Sequence, residues 1–463
     1  MNPILGVFYH WLGGVAAGSF YVPFRGVKSW SWETAWMIAG VFSWIVAPWF
    51  FAILNTTDAL TALKESPGSV MLTVFLLGVA WGFGGLTFGL AIRYLGMSLG
   101  VAVALGYCTV FGTLIPPLIN GVFVEKLIEP ANGRWVLAGL FVCVVGIAVT
   151  ALAGKAKEGG EAPETMKDFN LKKGILVASF SGIMSACFAF ALNAGDPIRE
   201  ITLKLDMANS AASAGVTVAR STEPSASEMQ AAGITEELLE GMISKIEESS
   251  SDGNPWQGSP ESESSPLAAR IHSYAETLAG IRSPASLKII TNLNSFSEKE
   301  TAANLAVAGA DLPAIHEKHV LWSGLPVLIV IMLGGFMTNF IWCVVLNIRN
   351  RTAREYVSVP GESQSIIPLA RNYIFAALAG VIWYFQFFFY SMGESQMGEY
   401  KFSSWTLHMA SIIIFSSVWG LALREWKGAG HRARRLLFAG LAILILSTVI
   451  VGYGNYVESG FAH

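Results

Sequence analysis

Few ionisable side chains fall within the long apolar segments of this chain, and three of them have the chemistry to exchange a proton. His10 lies inside the first segment, His408 lies inside the ninth, and Glu33 opens the second. Ionisable groups in apolar spans are costly and usually mark an ion or substrate pathway. Histidine, with an ordinary pKa of about 6.5, gains and loses a proton near neutral pH. We therefore predict proton coupling at Glu33, His10 and His408; the competing interpretations are hydrogen bonds between helices for the histidines and an interfacial helix cap for Glu33.

The segments that carry these residues predict the class of protein. A hydrocarbon core of about 30 Å needs roughly 20 predominantly apolar residues in a helix. Hydrophobic residues make up 53% of the 463 residues and charged residues only 14%, against about 25% charged in soluble domains. Ten stretches are long enough to cross a bilayer: residues 2–22, 32–54, 70–92, 97–120, 134–153, 174–194, 322–346, 374–392, 405–423 and 436–453.

Short matches in the same order divide the ten segments into two sets of five. In segments 1 and 6, Gly6, Gly14 and Phe20 have the same spacing as Gly174, Gly182 and Phe188. Segments 3 and 8 share Gly78-Val-Ala-Trp81 and Gly380-Val-Ile-Trp383. Segments 5 and 10 share Ala138-Gly139-Leu140 and Ala439-Gly440-Leu441. Because five is odd, the second half must be inserted upside down, as in many secondary transporters. We predict an all-α polytopic membrane protein whose ten transmembrane helices form two inverted five-helix repeats. A channel or a membrane enzyme could share this architecture.

A long polar insertion separates the sixth and seventh segments. Residues 1–153 are predicted to form the first repeat, 154–205 a linker and the sixth span, 206–319 the insertion, and 320–463 the other four spans of the second repeat. The insertion is rich in serine and acidic residues and contains no cysteine. Apolar residues at helical spacing favour a small soluble helical domain, with disorder as the alternative. Lysine and arginine are concentrated in the loops that lead from odd to even segments, so both termini and the insertion are predicted to be extracytoplasmic.

Several kinds of site are not indicated. The chain has no phosphate-binding loop for ATP. His316 and His319 are three apart and could bind zinc, but a solvated turn is the favoured interpretation. The four cysteines fall in apolar segments without the spacing of metal ligands. We predict no enzymatic activity, no cofactor, no metal and no nucleic-acid partner, and the lipid bilayer as the surroundings.

Four local sequences resemble the L-rhamnose–proton symporter family of the drug/metabolite transporter superfamily. They are Lys28-Ser-Trp-Ser-Trp-Glu-Thr34, Arg93-Tyr-Leu-Gly-Met-Ser98, Trp383-Tyr-Phe-Gln-Phe-Phe-Phe-Tyr390 and Trp405-Thr-Leu-His-Met409. The resemblance covers residues 1–204 and 320–458. It implies ten spans and the uptake of L-rhamnose with protons across the bacterial inner membrane. The long polar segment departs from the family pattern, in which a short connection joins the sixth and seventh spans.

The substrate implied by this resemblance predicts a binding site. A deoxy sugar presents hydroxyls, apolar C–H faces and a methyl group, so its site should combine aromatic platforms with a few fixed hydrogen-bonding groups. Simple packing or contact with lipid is the competing interpretation for each aromatic residue. The candidates are Trp383, Tyr384, Gln386, Phe387 and Tyr390 in segment 8, Trp81 at the equivalent position of segment 3, Asn193 in segment 6 and Asn339 in segment 7.

Alternatives remain open for the function. Protons are the favoured coupling cation, and sodium is the other. A metabolite exporter of the same superfamily would share the fold without inward sugar flux. A membrane-anchored sensor would use the insertion to detect a ligand, and the sequence does not identify a protein partner for the insertion.

Overall fold

The computed structural model describes residues 2–95, 97–157, 170–203, 205–206, 318–361 and 366–458. Every regular element in these residues is a helix. The long helices are α1 Pro3–Ser19, α2 Trp32–Asn55, α3 Gly68–Leu95, α4 Met97–Ile119, α5 Ala131–Lys157, α6 Leu171–Ala194, α7 Leu325–Asn350, α8 Ile366–Ser395, α9 Ser404–Ala422 and α10 His431–Glu458.

The long helices confirm a polytopic, all-helical membrane protein. Within the described residues, the nine helices α2 to α10 are long and apolar enough to cross a bilayer. Helix α1 has 17 residues, which corresponds to about 26 Å at 1.5 Å per residue. A short helix, Tyr21–Phe24, follows it directly. The insertion predicted at 206–319, including His316, lies outside the described residues except for Asp206, Lys318 and His319.

The described chain separates into two compact units. The first comprises Met1–Phe51, Gly68–Asp196 and Val327–His463, and the second comprises Ala52–Pro67 and Pro197–Pro326. Every residue predicted for the site belongs to the first unit.

Helices α1 and α6 begin in the same way. The side chain of Asn2 accepts hydrogen bonds from the backbone N–H groups of Ile4 and Leu5, at 3.1 and 3.2 Å. The side chain of Asn170 accepts one from the N–H of Lys173 at 3.0 Å. Asparagine in this position satisfies backbone donors that the first helical turn leaves unpaired. The two caps precede Gly6 and Gly174 by the same four residues.

Glycines at matched positions allow matched helices to pack closely. Within the first unit, α1 packs against α8 and α9, α6 packs against α3 and α4, and α5 packs along α10. An added Cβ at Gly78 of α3 would overlap the backbone of Ile331 in α7, and one at Gly380 of α8 would overlap the backbone of Ala39 in α2. In the same way Gly14 faces α9 while Gly182 faces α4, and Gly139 faces α10 while Gly440 faces α5. Small residues that admit a neighbouring backbone are the usual basis of helix packing in membranes.

Candidate functional site

His10 and His408 lie in one buried cluster around Tyr390. The ring centroids of His10 and Tyr390 are 5.2 Å apart, and those of Tyr390 and His408 are 5.1 Å apart. Both histidines have a relative exposure of 0%, and Tyr390 has 1%. Helix α1, near the start of the chain, thus meets the consecutive helices α8 and α9, and two of the three predicted proton-coupling residues come together.

Several polar atoms of this histidine cluster lack a hydrogen-bond partner among the described residues. Neither ring nitrogen of His10 or of His408 has a hydrogen-bond partner among the residues that the structure describes, so the competing interpretation of a hydrogen bond between helices finds no support there. The buried hydroxyls of Ser391 and Ser404, which are adjacent in sequence to Tyr390 and Trp405, are also unpaired within the same residues. A buried, unsatisfied polar group costs about 1–3 kcal/mol. Native proteins contain few of these groups, and this concentration marks the cluster as a candidate functional site.

Two glycines make room for the histidine rings. A Cβ built on Gly393 of α8 would lie 2.8 Å from Nε2 of His10. One built on Gly13 of α1 would lie 2.9 Å from the carbonyl oxygen of Gln386 and 3.6 Å from Nδ1 of His408. Helices α1 and α8 therefore approach at the level of the cluster only because both residues lack a side chain.

A layer of aromatic rings adjoins the histidines. Phe387 lies 5.9 Å from His408 and 5.1 Å from Trp383, measured between ring centroids. The rings of Trp383 and Trp81 lie 5.8 Å apart, so the tryptophans of the two short matching sequences in α3 and α8 contact each other. Phe188 stacks on Phe387 at 4.1 Å and lies 5.9 Å from Trp405. The sequence-based selection missed Phe188 and Trp405, although Phe188 is the repeat counterpart of Phe20 and Trp405 belongs to one of the family-like motifs.

A small cleft, with a volume of about 10 Å³, lies on the other side of Trp383. Its wall from α2 includes a π-helical turn at Phe42–Val46, a geometry that often occurs at functional sites. The ring of Trp44 in that turn lies 5.4 Å from the ring of Trp383, at nearly a right angle. The residues that line this cleft include Phe24, Trp36, Ser43, Trp44, Gly380 and Trp383.

The other predicted polar residues make defined contacts within the first unit. The carboxylate of Glu33 accepts hydrogen bonds from Nδ2 of Asn350 at 2.9 Å and from the hydroxyl of Thr352 at 3.0 Å. These bonds join the start of α2 to the end of α7, which agrees with the competing interpretation of Glu33 as an interfacial cap. Asn193 exchanges amide hydrogen bonds with Asn120, at 3.2 and 3.5 Å.

Asn339 and Gln386 hydrogen-bond to tryptophans of the aromatic region, whereas Tyr384 packs elsewhere. Oδ1 of Asn339 accepts a hydrogen bond from Nε1 of Trp36 at 3.3 Å. Nε2 of Gln386 donates to the carbonyl of Trp383 at 3.0 Å, one turn earlier in α8. Tyr384 is fully buried, and its ring stacks on Phe51 at 5.8 Å rather than on the rings around His408.

Comparison with known proteins assigns this chain to a family. The sequence profile of the L-rhamnose-proton symport protein family matches residues 1–219 and 291–457. Similar proteins include the L-rhamnose-proton symporters of Salmonella typhimurium (strain LT2) and Salmonella newport (strain SL254). Each is 30% identical over 453 residues, which cover 97% of this chain and 97% of the relative. No solved structure matches the chain. The match to the profile spans well over half of the chain, and the chain therefore belongs to the L-rhamnose-proton symport protein family.

Proposed function

We propose that this protein is a secondary transporter that takes up L-rhamnose, or a related sugar, by symport with protons. The observation that carries the proposal is family membership along almost the whole chain. The relatives are named for the same sugar and the same coupling ion. A transport role in a multi-pass membrane protein also accounts for buried, ionisable side chains in apolar helices.

The proposed architecture has ten spans in two inverted five-helix repeats, with both termini and the insertion outside the cytoplasm. Three structural observations support the repeats: the matched caps of α1 and α6, the matched helix pairs, and the glycines that face equivalent helices. Helix α1 supplies the tenth span. Residues 220–290 lie outside the two stretches that the family profile matches, which supports an insertion at this place.

His10 and His408 are the proposed proton-binding groups. An imidazolium in this cluster would be surrounded by the rings of Tyr390, Trp405 and Phe387, and aromatic rings attract cations. Because a charge within the membrane is costly, gain or loss of one proton would change the relative free energies of two packings of α1, α8 and α9. Glu33 remains a candidate whose bonds to Asn350 and Thr352 would have to break before it could transfer a proton.

The proposed sugar site adjoins the histidine cluster. Trp81, Trp383 and Phe387 would supply apolar platforms, and Gln386 would supply a hydrogen-bonding group, while Phe387 also contacts His408. This contact gives a short path by which sugar occupancy and histidine charge can affect each other. Of the other candidates, Asn339 would orient Trp36, and Tyr384 and Asn193 would act through helix packing.

Uptake of labelled L-rhamnose into right-side-out membrane vesicles tests the proposal. We expect accumulation that an imposed inward proton gradient stimulates and that a protonophore abolishes. Stimulation by a sodium gradient alone would show that sodium, and not the proton, is the coupling ion. Vesicles that contain the protein but take up no rhamnose under either gradient would overturn the function, and an exporter or a sensor would then be the better explanation.

A further inference from the structure

We propose that a basic surface at one end of α5 and α10 binds the headgroup of an anionic phospholipid from the surrounding bilayer. The surface is formed by the end of α5, the connection from α9 to α10 and the start of α10. Its exposed members are Lys155, Lys157, Lys427, Arg432, Arg434 and Arg435. The inference goes beyond the proposed function, because it concerns the lipid around the protein and not the solute that the protein carries.

The packing of α5 along α10 brings the basic surface together. Ala153 and Leu437 belong to one buried apolar cluster, against which Trp426 packs from the α9–α10 connection. Nζ of Lys157 lies 4.8 Å from the centroid of the Trp426 ring. The guanidinium group of Arg434 donates a hydrogen bond to the backbone carbonyl of Trp426 at 3.1 Å. Two helices and the connection between α9 and α10 therefore place their basic side chains around a single tryptophan.

The charge of the basic surface is not neutralised by the residues that the structure describes. None of its six members forms an ion pair with a described residue. Glu425 is the one acidic residue of the connection 423–430. The first turn of α10 contains no acidic residue, although negative charge is stabilising there. Because like charges that lie together repel each other, a bound anion would stabilise this arrangement.

Exposed apolar side chains beside the basic surface favour a lipid over a soluble anion. Phe438 is 57% exposed and comes three residues after Arg435, so the two share a face of α10. Leu152 is 53% exposed and comes three residues before Lys155 on α5. Tryptophans are enriched at the level of the lipid headgroups, where clusters of four to eight lysines and arginines attract anionic lipids. A phospholipid would place its phosphate on the basic side chains and an acyl chain along the apolar ones.

Lipid binding to the purified protein in detergent tests the site. Native mass spectrometry counts bound lipids and compares their affinities. We expect dioleoylphosphatidylglycerol to bind at least about tenfold more tightly than dioleoylphosphatidylcholine, which has the same acyl chains and no net charge. The double variant Arg432→Gln, Arg435→Gln should weaken phosphatidylglycerol binding about tenfold, since each basic side chain near the membrane surface contributes to the attraction. The double variant Arg432→Lys, Arg435→Lys keeps both charges and should retain the binding.

The connection from α7 to α8 offers a matched control. Arg349 and Arg354 are exposed there, in a stretch of chain that binds the carboxylate of Glu33. The double variant Arg349→Gln, Arg354→Gln changes the net charge by the same amount and should bind phosphatidylglycerol within about twofold of the unmodified protein. Equal losses in the two glutamine variants would mean that the lipid responds only to net charge, and this would overturn the site. Undiminished binding by Arg432→Gln, Arg435→Gln would overturn it as well.

Thermal stability provides a second measurement. Phosphatidylglycerol should raise the melting temperature of the unmodified protein by about 2–4 °C, because a ligand of the folded state stabilises it. Arg432→Gln, Arg435→Gln should melt like the unmodified protein without lipid, since neither arginine has a partner among the described residues, and should show no rise with lipid. Phosphatidylcholine should have no such effect. An equal rise with inorganic phosphate would assign the basic surface to a soluble anion and overturn the lipid inference.

Discussion

At the scale of single residues, the proposed proton coupling depends on His10 and His408, which share Tyr390 as a buried neighbour. His10 and His408 stood out because ionisable residues are rare in the apolar segments. Their common neighbour Tyr390 and the place of Phe188 beside Phe387 depend on how α1, α6, α8 and α9 meet. No local sequence pattern specifies that packing. The unpaired indole N–H groups of Trp11, Trp30 and Trp44 could not be selected from the sequence, because the chain contains 15 tryptophans and only packing shows which of them lack a partner among the described residues.

Replacing His408 should separate sugar movement from proton coupling. In His408→Gln the ring that we propose to carry the proton is lost, while a polar side chain of similar length remains. We expect the variant to exchange labelled for unlabelled L-rhamnose across the membrane but to lose gradient-driven accumulation. Exchange and accumulation measured in the same vesicles provide the check. Accumulation at the level of the unmodified protein would show that His408 is not needed for coupling.

Replacing Gly393 should test the close approach of α1 and α8. The added methyl group in Gly393→Ala would lie 2.8 Å from Nε2 of His10, and such overpacking typically destabilises a protein by about 1–3 kcal/mol. We expect a lower melting temperature in detergent and reduced rhamnose uptake.

The matched control for this change is Gly85→Ala in α3. Among the described residues, no atom beyond the neighbouring backbone of its own helix lies within 4 Å of the Cβ that this variant would add, and alanine is favoured over glycine inside a helix by up to about 1 kcal/mol. Its melting temperature should be unchanged or higher. If both variants melt alike, the approach at Gly393 is not tight enough to matter.

At the scale of helices and their connections, Asp206 is the clearest titratable feature outside the spans. In the second unit its Oδ1 accepts a hydrogen bond from the N–H of Thr57 at 2.6 Å, and its Oδ2 lies 3.7 Å from Nδ1 of His319. Burial raises the pKa of Asp206 from 3.8 to about 6, and the nearby carboxylate of Asp58 raises it further, whereas hydrogen bonds from Thr57 act in the opposite direction. Asp206 and His319, on either side of the undescribed segment 207–317, thus lie close together, and the raised pKa of Asp206 falls in the mildly acidic range.

Stability should accordingly fall as the pH rises through this range. Because the folded state holds the proton of Asp206 more tightly than the unfolded state, its stabilising contribution is complete below pH 3.8 and is lost as the pH rises through about 6. At neutral pH the ionised group then costs on the order of 3 kcal/mol. Asp206→Asn cannot ionise, so we expect a higher melting temperature at pH 7.5 and a smaller fall between pH 4.5 and 7.5. Parallel pH profiles for both proteins would show that other groups set the dependence.

At the scale of the whole molecule, the sequence predicted the class of fold because the bilayer imposes one simple requirement. Every backbone polar group must be paired within the segment, so long apolar stretches can be interpreted as helices. The helix ends were less predictable: α3 begins two residues before the predicted segment, and α8 extends from residue 366 to 395 although the apolar stretch covers only 374–392. Polar residues at the ends of a helix continue its hydrogen bonding beyond the hydrocarbon core, where hydropathy carries no signal.

The matched glycine contacts have a consequence for the history of the chain. If the two repeats descend from one five-helix ancestor, that ancestor assembled as a pair of oppositely oriented copies before their genes were joined, since the approach of α7 to Gly78 of α3 is repeated in the approach of α2 to Gly380 of α8. The polar insertion follows α6, the first helix of the second copy, whereas only residues 20–31 separate α1 from α2 at the same place in the first copy. If the two halves arose by duplication, the insertion was added to one copy after that event.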